Sequence, residues 1–280
     1  MKAGVVGLGL IGGSFAKAAK AAGHDVFVWN RTPETAALAV ESGTADALLD
    51  GDTLRTPGGD APDLIVVCLP PPAVVEWVEA HAGAFAPGTT VVDIAGVKKS
   101  VCDRLRKFAL SKTWTFIGGH PMAGKEVSGY ENSSAGLFKG ASFIITPYPS
   151  TGRGPIDALE AFLLSLGFSS VVSTTPEHHD EMIAFTSQLP HVIAYSYVSD
   201  ALAREHKGYS AGSFADVSRV AASDASGWTE LFLENKDALL KVLDTFKNNI
   251  STIAEALRRE DRAALKTFLE AAMHVKRELK

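Results

Sequence analysis

A glycine-rich turn near the start of the chain could bind a dinucleotide. It reads GLGLIG over residues 7–12 and lies between a short apolar run and an Ala-rich run. A G-x-G-x-x-G spacing between a strand and a helix is typical of sites where a pyrophosphate lies on the free N–H groups of the helix N-terminus. Gly7 would form the tight turn, Gly9 would let the backbone approach the phosphates, and Gly12 would let helix and strand pack closely. We predict cofactor contacts at Gly7, Gly9, Leu10, Ile11 and Gly12.

A histidine farther along the chain could move a proton. His120 lies in the segment GGHPMAGKE, residues 118–126. The Gly-Gly before it and the Pro-Met-Ala-Gly after it predict a loop that presents the side chain into a cleft at the end of a strand. A neutral histidine can accept an alcohol proton near neutral pH. The residues alone leave a purely structural histidine open.

The residues after the second strand indicate which cofactor is bound. NAD-binding proteins have an Asp or Glu here that accepts the ribose 2′-OH, whereas this chain has the neutral Asn30. Arg31 and Thr32 follow and could hold a 2′-phosphate, which favours NADP over NAD. The alternative is a solvated Arg31 with the ribose held through Asn30. Leu69 and Pro70, after a later strand, could line the nicotinamide side of the cleft or form only a stiff turn.

Alternating strand and helix signals predict the fold that positions these residues. Continuous apolar strands that alternate with helices are typical of a parallel, doubly wound α/β sheet of the Rossmann type. We predict strands at 2–6, 25–29, 63–69, 89–94, 115–118, 142–146 and 169–172, and helices at 15–22, 33–42, 73–82, 98–109 and 156–166. We therefore expect a dinucleotide-binding domain over residues 1–174.

The second half of the chain has a different character. Residues 175–280 carry helical patterns and no strand signal, and we expect an all-α substrate and dimerisation domain there. Helices are predicted at 177–205 with an interruption at Pro190, and at 211–222, 228–235, 236–259 and 261–280. Such long helices with wide apolar faces need a surface to pack against, so we expect a homodimer built on this half.

Composition excludes several classes of partner. The 280 residues are 46% hydrophobic and 21% charged with a net charge of −5 and no basic block, so we expect neither a nucleic-acid partner nor a membrane span. With the first strand at residue 2 we expect no signal peptide and a cytoplasmic location. The spacing around Cys68 and Cys102 predicts no metal site. The run His178-His179-Asp180 has metal-ligand residue types, but at a helix start we interpret it as a solvated cap region.

Several motifs in sequence order resemble the prephenate/arogenate dehydrogenase family of tyrosine biosynthesis. They are the glycine-rich turn, DIAGVK at 93–98, GGHPMAG at 118–124, SQLPH at 187–191 and FADVSRVA at 214–221, followed by Ser223, Asp224, Trp228 and Asn235. The resemblance covers essentially the whole chain. It implies a Rossmann domain followed by a helical dimerising domain, and oxidative decarboxylation of prephenate or arogenate to 4-hydroxyphenylpyruvate or tyrosine with NAD(P).

The resemblance also implies roles for particular residues. His120 would take the ring hydroxyl proton, and Arg219 would bind a substrate carboxylate through a bidentate fork. It places further substrate-binding positions at Ser187, His191, Glu126 and Gly96. The family often has Ser at Gly96, so His120 or a water would have to serve here. Without the resemblance, a helix-surface ion pair remains open for Arg219, and a core-facing position next to a helix kink at Pro190 remains open for His191.

Two other functions compete with this prediction. A 3-hydroxyacid dehydrogenase of the 6-phosphogluconate type also has a Rossmann half, a helical half and an Asn-Arg-Thr strand end. That class uses a Lys in a G-x-x-G-x-x-x-K helix, which this chain lacks. The second alternative is a non-catalytic NADP-binding regulator, which a simple turnover assay would identify.

Overall fold

The computed structural model describes residues 1–55, 61–109, 113–125 and 127–279. Within these ranges, eight strands form one sheet in the order β3-β2-β1-β4-β5-β6-β7-β8. The strands are β1 (Lys2–Val6), β2 (Asp25–Trp29), β3 (Ala47–Leu48), β4 (Leu64–Val67), β5 (Thr90–Asp93), β6 (Thr115–Pro121), β7 (Ser142–Thr146) and β8 (Ser170–Ser173). The short β3 at the edge has no counterpart in the sequence prediction.

Helices cover both faces of this sheet, and further helices form most of the second half of the described chain. Those of the first half are α1 (Leu10–Ala21), α2 (Pro33–Glu41), α3 (Gly51–Arg55), α4 (Pro71–His81), α5 (Lys99–Ala109) and α6 (Arg153–Ser165). Those of the second half are α7 (Pro176–Ile183), α8 (Leu189–Val198), α9 (Gly212–Ser218), α10 (Ala225–Glu234), α11 (Lys236–Arg258) and α12 (Arg262–Glu278). No helix of the described residues is long and apolar enough to cross a membrane.

Alternation along the strands creates two apolar layers. In β4, Leu64 and Val66 pack into the layer beneath α1 and α6, whereas Ile65 and Val67 pack into the layer beneath α4 and α5. Successive side chains of a strand point to opposite faces, so a strand covered on both sides is apolar throughout. This explains the continuous apolar runs in the sequence and confirms the doubly wound fold.

One pair of strands departs from the predicted parallel arrangement. β6 and β7 are antiparallel, with Gly118 opposite Thr146 and Pro121 opposite Phe143, while β7 and β8 are parallel. A parallel pair needs a crossover, usually an α-helix. The described residues between β6 and β7 contain only the 3-10 turn Tyr130–Asn132, so the chain returns on the same sheet in the opposite direction.

The strand order reverses between β1 and β4, and this reversal defines a cleft. β1 pairs with β2 on one side and with β4 on the other, so the turns after β1 and β4 diverge. In open α/β sheets, ligands bind beyond the carboxyl ends of the strands at such a switch point. The loops after β5 and the end of β6 lie along the same edge.

The predicted helix over 177–205 is divided into three parts. α7 ends at Ile183, a π-turn spans Ala184–Gln188, and α8 ends at Val198, before a 3-10 turn at Ala201–Glu205. Pro190 lacks the N–H that an uninterrupted α-helix would use, and such sites favour local changes in helix geometry. Single-turn π-bulges are frequent at functional sites.

Candidate active site

Close contacts shape the glycine-rich turn and leave one of its glycines open. Gly7 has φ of +89°, which an L side chain rarely adopts. A Cβ at Gly12 would lie 1.8 Å from the carbonyl oxygen of Gly7, so helix and turn touch at this position. A Cβ at Gly9 would meet no described atom within 4 Å, which leaves the backbone open to a ligand. α1 begins at Leu10 rather than at the predicted Phe15, so its first N–H groups belong to the turn.

Asn30 connects the end of β2 to this turn. Its Oδ1 accepts the N–H of Leu8 at 2.9 Å, and its Nδ2 donates to the carbonyl of Thr32 at 3.1 Å. Arg31 and Thr32 are exposed, and the Thr32 side chain makes no capping hydrogen bond to α2. The described contacts therefore give Asn30 a structural role and leave Arg31 and Thr32 facing solvent beside the turn.

Leu69 and Pro70 lie at the cleft, after β4. A Cβ at Gly7 would come within 2.8 Å of Leu69 Cδ2, so Leu69 packs against the glycine-rich turn. Pro70 is exposed and is the N-cap of α4. Both readings of this segment are compatible with that position, since it is a stiff turn that also borders the cleft.

His120 lies in β6, not in a loop as predicted. It pairs with Ile144 of β7, and its side chain is half-buried. The two preceding glycines allow strands to approach closely. A Cβ at Gly118 would lie 2.2 Å from Thr146 Oγ1, and one at Gly119 would lie 2.6 Å from the carbonyl oxygen of Asp93. The Gly-Gly sequence therefore reflects strand packing, and a rigid strand rather than a loop holds His120.

Gly96, in the loop after β5, faces the histidine. A Cβ at Gly96 would lie 3.9 Å from Nε2 of His120 and 3.1 Å from Cδ2 of Leu231. Leu231 belongs to α10, so a side chain from the helical half packs where the family often has a serine side chain. The Nε2 edge of His120 therefore faces the boundary between the sheet and the helical half.

The other edge of His120 contacts a buried histidine and carboxylate. Nδ1 of His120 lies 2.9 Å from Nε2 of His179, and Nδ1 of His179 lies 2.7 Å from Oδ1 of Asp180. His179 and Asp180 are 1% and 4% exposed, so our interpretation of His178-His179-Asp180 as a solvated cap is wrong for these two residues. His178 alone fits it, because it is exposed and donates its N–H to Thr175. Within the described ranges, no group of three potential ligands could hold a metal ion.

A buried ion pair lies next to β6, the strand that carries His120. Nζ of Lys98 donates to Oδ2 of Asp93, and both side chains are fully buried. Asp93 also accepts the N–H of Gly119 at 3.2 Å, directly before His120. Burial holds the pKa of His120 well below its ordinary value of 6.5, and the nearby His179 and Lys98 side chains lower it further. Burial also lowers the pKa of His179, against the opposing effect of Asp180.

Ser187 and His191 lie together on the π-turn and α8. Nδ1 of His191 is 2.9 Å from the carbonyl oxygen of Ser187, and the His191 ring stacks on Trp228 with centroids 3.5 Å apart. Trp228 and Leu231 are three residues apart on α10 and so share one helix face. This face contacts His191 at one end and Gly96 at the other. Two of the predicted substrate positions, His191 and Gly96, therefore lie in one region.

Arg219 lies on the exposed side of this region. It begins the 3-10 turn Arg219–Ala222, which packs against α8, and its side chain is exposed. The hydroxyl of Tyr195 on α8 donates to the carbonyl of Ser223 at 3.3 Å and helps to hold the turn there. Glu126, the remaining predicted substrate residue, lies outside the described residues.

The sequence analysis gave no role to His179, Asp180 or Leu231. A signal for the first two was present, because Ile183 and Ala184 are apolar and the residues four positions before them on a helix are His179 and Asp180. Extending the buried face by one turn would have placed both inside. The partner of a buried histidine comes from another element, however, and helical periodicity does not identify it.

Both halves of the chain match models of one protein family. Residues 15–172 match the prephenate dehydrogenase nucleotide-binding domain, and residues 175–271 match the prephenate dehydrogenase dimerization domain. The chain is 34% identical over 270 residues to the cyclohexadienyl dehydrogenase of Zymomonas mobilis, which covers 92% of this chain and 88% of that protein. It is 29% identical over 277 residues to the prephenate dehydrogenase of Bacillus subtilis, with 96% and 73% covered.

Solved structures agree over the full length. The arogenate dehydrogenase of Synechocystis has a TM-score of 0.87 at 26% identity, with 100% of both chains covered. The prephenate dehydrogenase of A. aeolicus, in complex with hydroxyphenyl propionate and NAD+, has a TM-score of 0.86 at 28% identity, with 100% and 98% covered. These comparisons favour the predicted family over the hydroxyacid dehydrogenase alternative. The chain belongs to the prephenate/arogenate dehydrogenase family.

Proposed function

We propose that this chain oxidatively decarboxylates prephenate, arogenate or both with NAD(P), giving 4-hydroxyphenylpyruvate or tyrosine. The observation that carries this proposal is the placement of His120. Its Nε2 lies beside Gly96 at the carboxyl edge of the sheet, along the same edge as the glycine-rich turn. A base at this place can act on a substrate held between the dinucleotide cleft and the helical half.

His120 is suited to accept the proton of the ring hydroxyl group. Burial keeps the imidazole neutral, which a general base requires. When bound, the nicotinamide supplies the acceptor for the hydride that leaves the hydroxyl-bearing carbon. His120 holds the hydroxyl proton on Nε2 while the ring loses CO₂, and it returns the proton to the phenolate oxygen once the ring is aromatic. Leu231 of the helical half packs beside Gly96, next to Nε2 of His120.

The helical half would bind the carboxylates of the substrate. We assign Arg219 to a carboxylate because its planar guanidinium can donate two parallel hydrogen bonds. His191 is oriented by its stack on Trp228 and by the Ser187 carbonyl, so a polar contact to substrate would cost little side-chain entropy. Ser187 is half-buried on the π-turn beside it.

The glycine-rich turn fits a dinucleotide, and we propose that NADP is preferred. The turn, with Leu10 and Ile11 at the start of α1, would hold the pyrophosphate. Arg31 and Thr32 are exposed next to the turn and could pair with a 2′-phosphate. Asn30 carries no charge that would repel this phosphate, and its hydrogen bonds to Leu8 and Thr32 hold the segment in place.

We also propose that the protein is a homodimer through its helical half. The matched dimerization-domain model supports this assembly. Large apolar side chains on α11 and α12 are 45–59% exposed in the single chain: Leu240, Ile250, Leu257, Leu269, Met273 and Val275. Exposed apolar surface of this extent is typical of a protein–protein interface.

The experiment is a steady-state assay with prephenate and arogenate, each with NAD and with NADP. Release of CO₂ together with 4-hydroxyphenylpyruvate or tyrosine would support the proposal, and the four kcat/KM values would identify the preferred pair. If none of the four combinations turns over while the dinucleotide still binds, the non-catalytic alternative is favoured.

A further inference from the structure

Two almost fully buried residues, His179 and Asp180, lie behind His120. His120, His179 and Asp180 form a hydrogen-bonded chain with successive distances of 2.9 and 2.7 Å. In a neutral histidine, one ring nitrogen carries a proton and the other is bare, and the partner of one nitrogen fixes the state of the other. The protonation pattern of the three hydrogen-bonded side chains therefore follows from Asp180.

Asp180 can only accept hydrogen bonds. Its Oδ1 accepts the N–H of Lys98 at 2.8 Å and its Oδ2 accepts the N–H of Lys99 at 2.9 Å. Both oxygens of this carboxylate therefore already act as acceptors. The bond between Asp180 and His179 must therefore be donated by Nδ1 of His179.

The proton on Nδ1 of His179 in turn fixes the proton position on His120. His179 is buried and neutral, so with a proton on Nδ1 its Nε2 is bare and can only accept. Nδ1 of His120 must then donate to it. Nε2 of His120 is left bare, and this is the nitrogen that faces Gly96 at the boundary with the helical half.

We propose that His179 and Asp180 are positioning residues that hold His120 in the tautomer with a proton on Nδ1, so that the Nε2 lone pair is aimed at the substrate hydroxyl; the assignment of that acceptor as the catalytic base rests on the proposed function. The arrangement also stabilises His120 after it has taken the proton, because the imidazolium donates from Nδ1 toward a histidine bonded to a carboxylate. The same logic operates where a buried carboxylate orients the histidine of a catalytic triad.

Two features of this chain support the importance of the buried side. Gly96 offers no hydroxyl group to orient His120 from the open side, and a Cβ added at Gly96 would lie against the apolar Leu231. The backbone of Asp180 is itself fixed, because Nδ2 of the buried Asn235 donates to its carbonyl at 2.9 Å. Orientation therefore comes from α7, through side chains that are held rigidly.

The first test is a spectroscopic measurement on the full-length protein without substrate. Imidazole ¹⁵N chemical shifts distinguish a bare from a protonated ring nitrogen. The signals of His120 and His179 are assigned by their loss in His120→Asn and His179→Gln. At a pH above the pKa values of both imidazoles, the proposal predicts a bare Nε2 and a protonated Nδ1 on His120 and on His179. A protonated Nε2 on His120 would overturn it.

The second test compares two substitutions of His179. Gln can place an amide oxygen where Nε2 of His179 accepts, whereas Leu removes the acceptor. We expect His179→Leu to lower kcat by about 10²-fold with little change in KM, and His179→Gln to retain kcat within about tenfold. Equal activity of the two variants, or a kcat of His179→Leu within about threefold of the wild type, would contradict the proposal. His178→Asn, an exposed neighbour, is the control and should leave kcat unchanged.

Asp180→Asn provides an independent check. An amide in place of the carboxylate can donate to Nδ1 of His179 and so reverse both tautomers, which the ¹⁵N shifts of His120 would report directly. Asp180→Asn also disturbs the bonds to Lys98 and Lys99, so this variant could fail to fold. In that case the comparison of His179→Leu with His179→Gln still tests the proposal. If wild-type protein turns over neither prephenate nor arogenate, the proposed function fails, but the tautomer result still stands or falls by the spectrum.

Discussion

The carboxylate of Asp180 accepts the backbone N–H of Lys98 at 2.8 Å, although the two residues are 82 positions apart. This bond, with the companion bond to Lys99, places a negative charge at the N-terminus of α5, where the helix has unsatisfied N–H groups. It also ties α7 to the loop that carries Gly96. The geometry around His120 therefore depends on how the helical half packs against the sheet.

The pH dependence of activity should reflect the burial of His120. Burial holds its pKa well below 6.5, so the base stays neutral as the pH falls through that value. We expect the acidic limb of the kcat/KM profile to lie below pH 6.5. An acidic limb with an apparent pKa above 6.5 would contradict a base that is neutral at that pH.

Folding stability should fall in the same pH range. The pKa values of both His120 and His179 are lower in the folded chain than in an unfolded one, so below pH 6.5 the unfolded state binds more protons. The contribution of these two histidines to the free energy of unfolding is therefore fully present above pH 6.5 and is lost as the pH falls. Thermal unfolding from pH 8 to pH 5 should show this loss, and His179→Gln should show a smaller one. An identical pH dependence in the variant would contradict the assignment.

Substitution of Arg219 tests the proposed carboxylate contact. A hydrogen bond to a charged group contributes about 1.5–3 kcal/mol, so Arg219→Ala should raise the substrate KM by about tenfold or more and leave dinucleotide binding unchanged. Arg153→Ala removes an exposed arginine of an ion pair on α6 and is the matched control. An unchanged KM would make Arg219 a structural residue.

The cofactor prediction rests on Arg31. In the double variant Asn30→Asp with Arg31→Ala, the new carboxylate can accept a ribose hydroxyl and the proposed partner of the 2′-phosphate is absent. We expect the ratio of kcat/KM with NADP to that with NAD to fall more than tenfold, since such a contact contributes about 1.5–3 kcal/mol. A wild-type kcat/KM with NAD equal to or above that with NADP would show that the ribose is held in another way.

The helical half should form a two-fold interface. Obligate homodimers bury about 2,000 Å² or more, and we expect a dimer by light scattering at micromolar concentration. Leu257→Glu, at a side chain 59% exposed on α11, should weaken it, whereas Leu164→Glu, at one 50% exposed on α6, should not. A stable and active wild-type monomer would contradict the proposed assembly.

Sequence reasoning predicted the parts of the molecule that depend on local patterns. The glycine-rich turn, the apolar strands and the long helices follow from spacing and periodicity. The antiparallel β6–β7 pair was missed because strand direction depends on the connecting path, and here the described connection contains no crossover helix. The contact between His120 and His179 spans 59 positions and two elements, so only the packed structure places one behind the other.

The most direct test of the account is the kcat of His120→Asn. Asn is close in size and polar, but it cannot accept the hydroxyl proton, so kcat should fall by about 10²–10⁴-fold while the Kd of the dinucleotide changes little. His178→Asn makes the same change at an exposed histidine and should retain wild-type kcat. A His120→Asn variant with near wild-type kcat would contradict the assignment of His120 as the base.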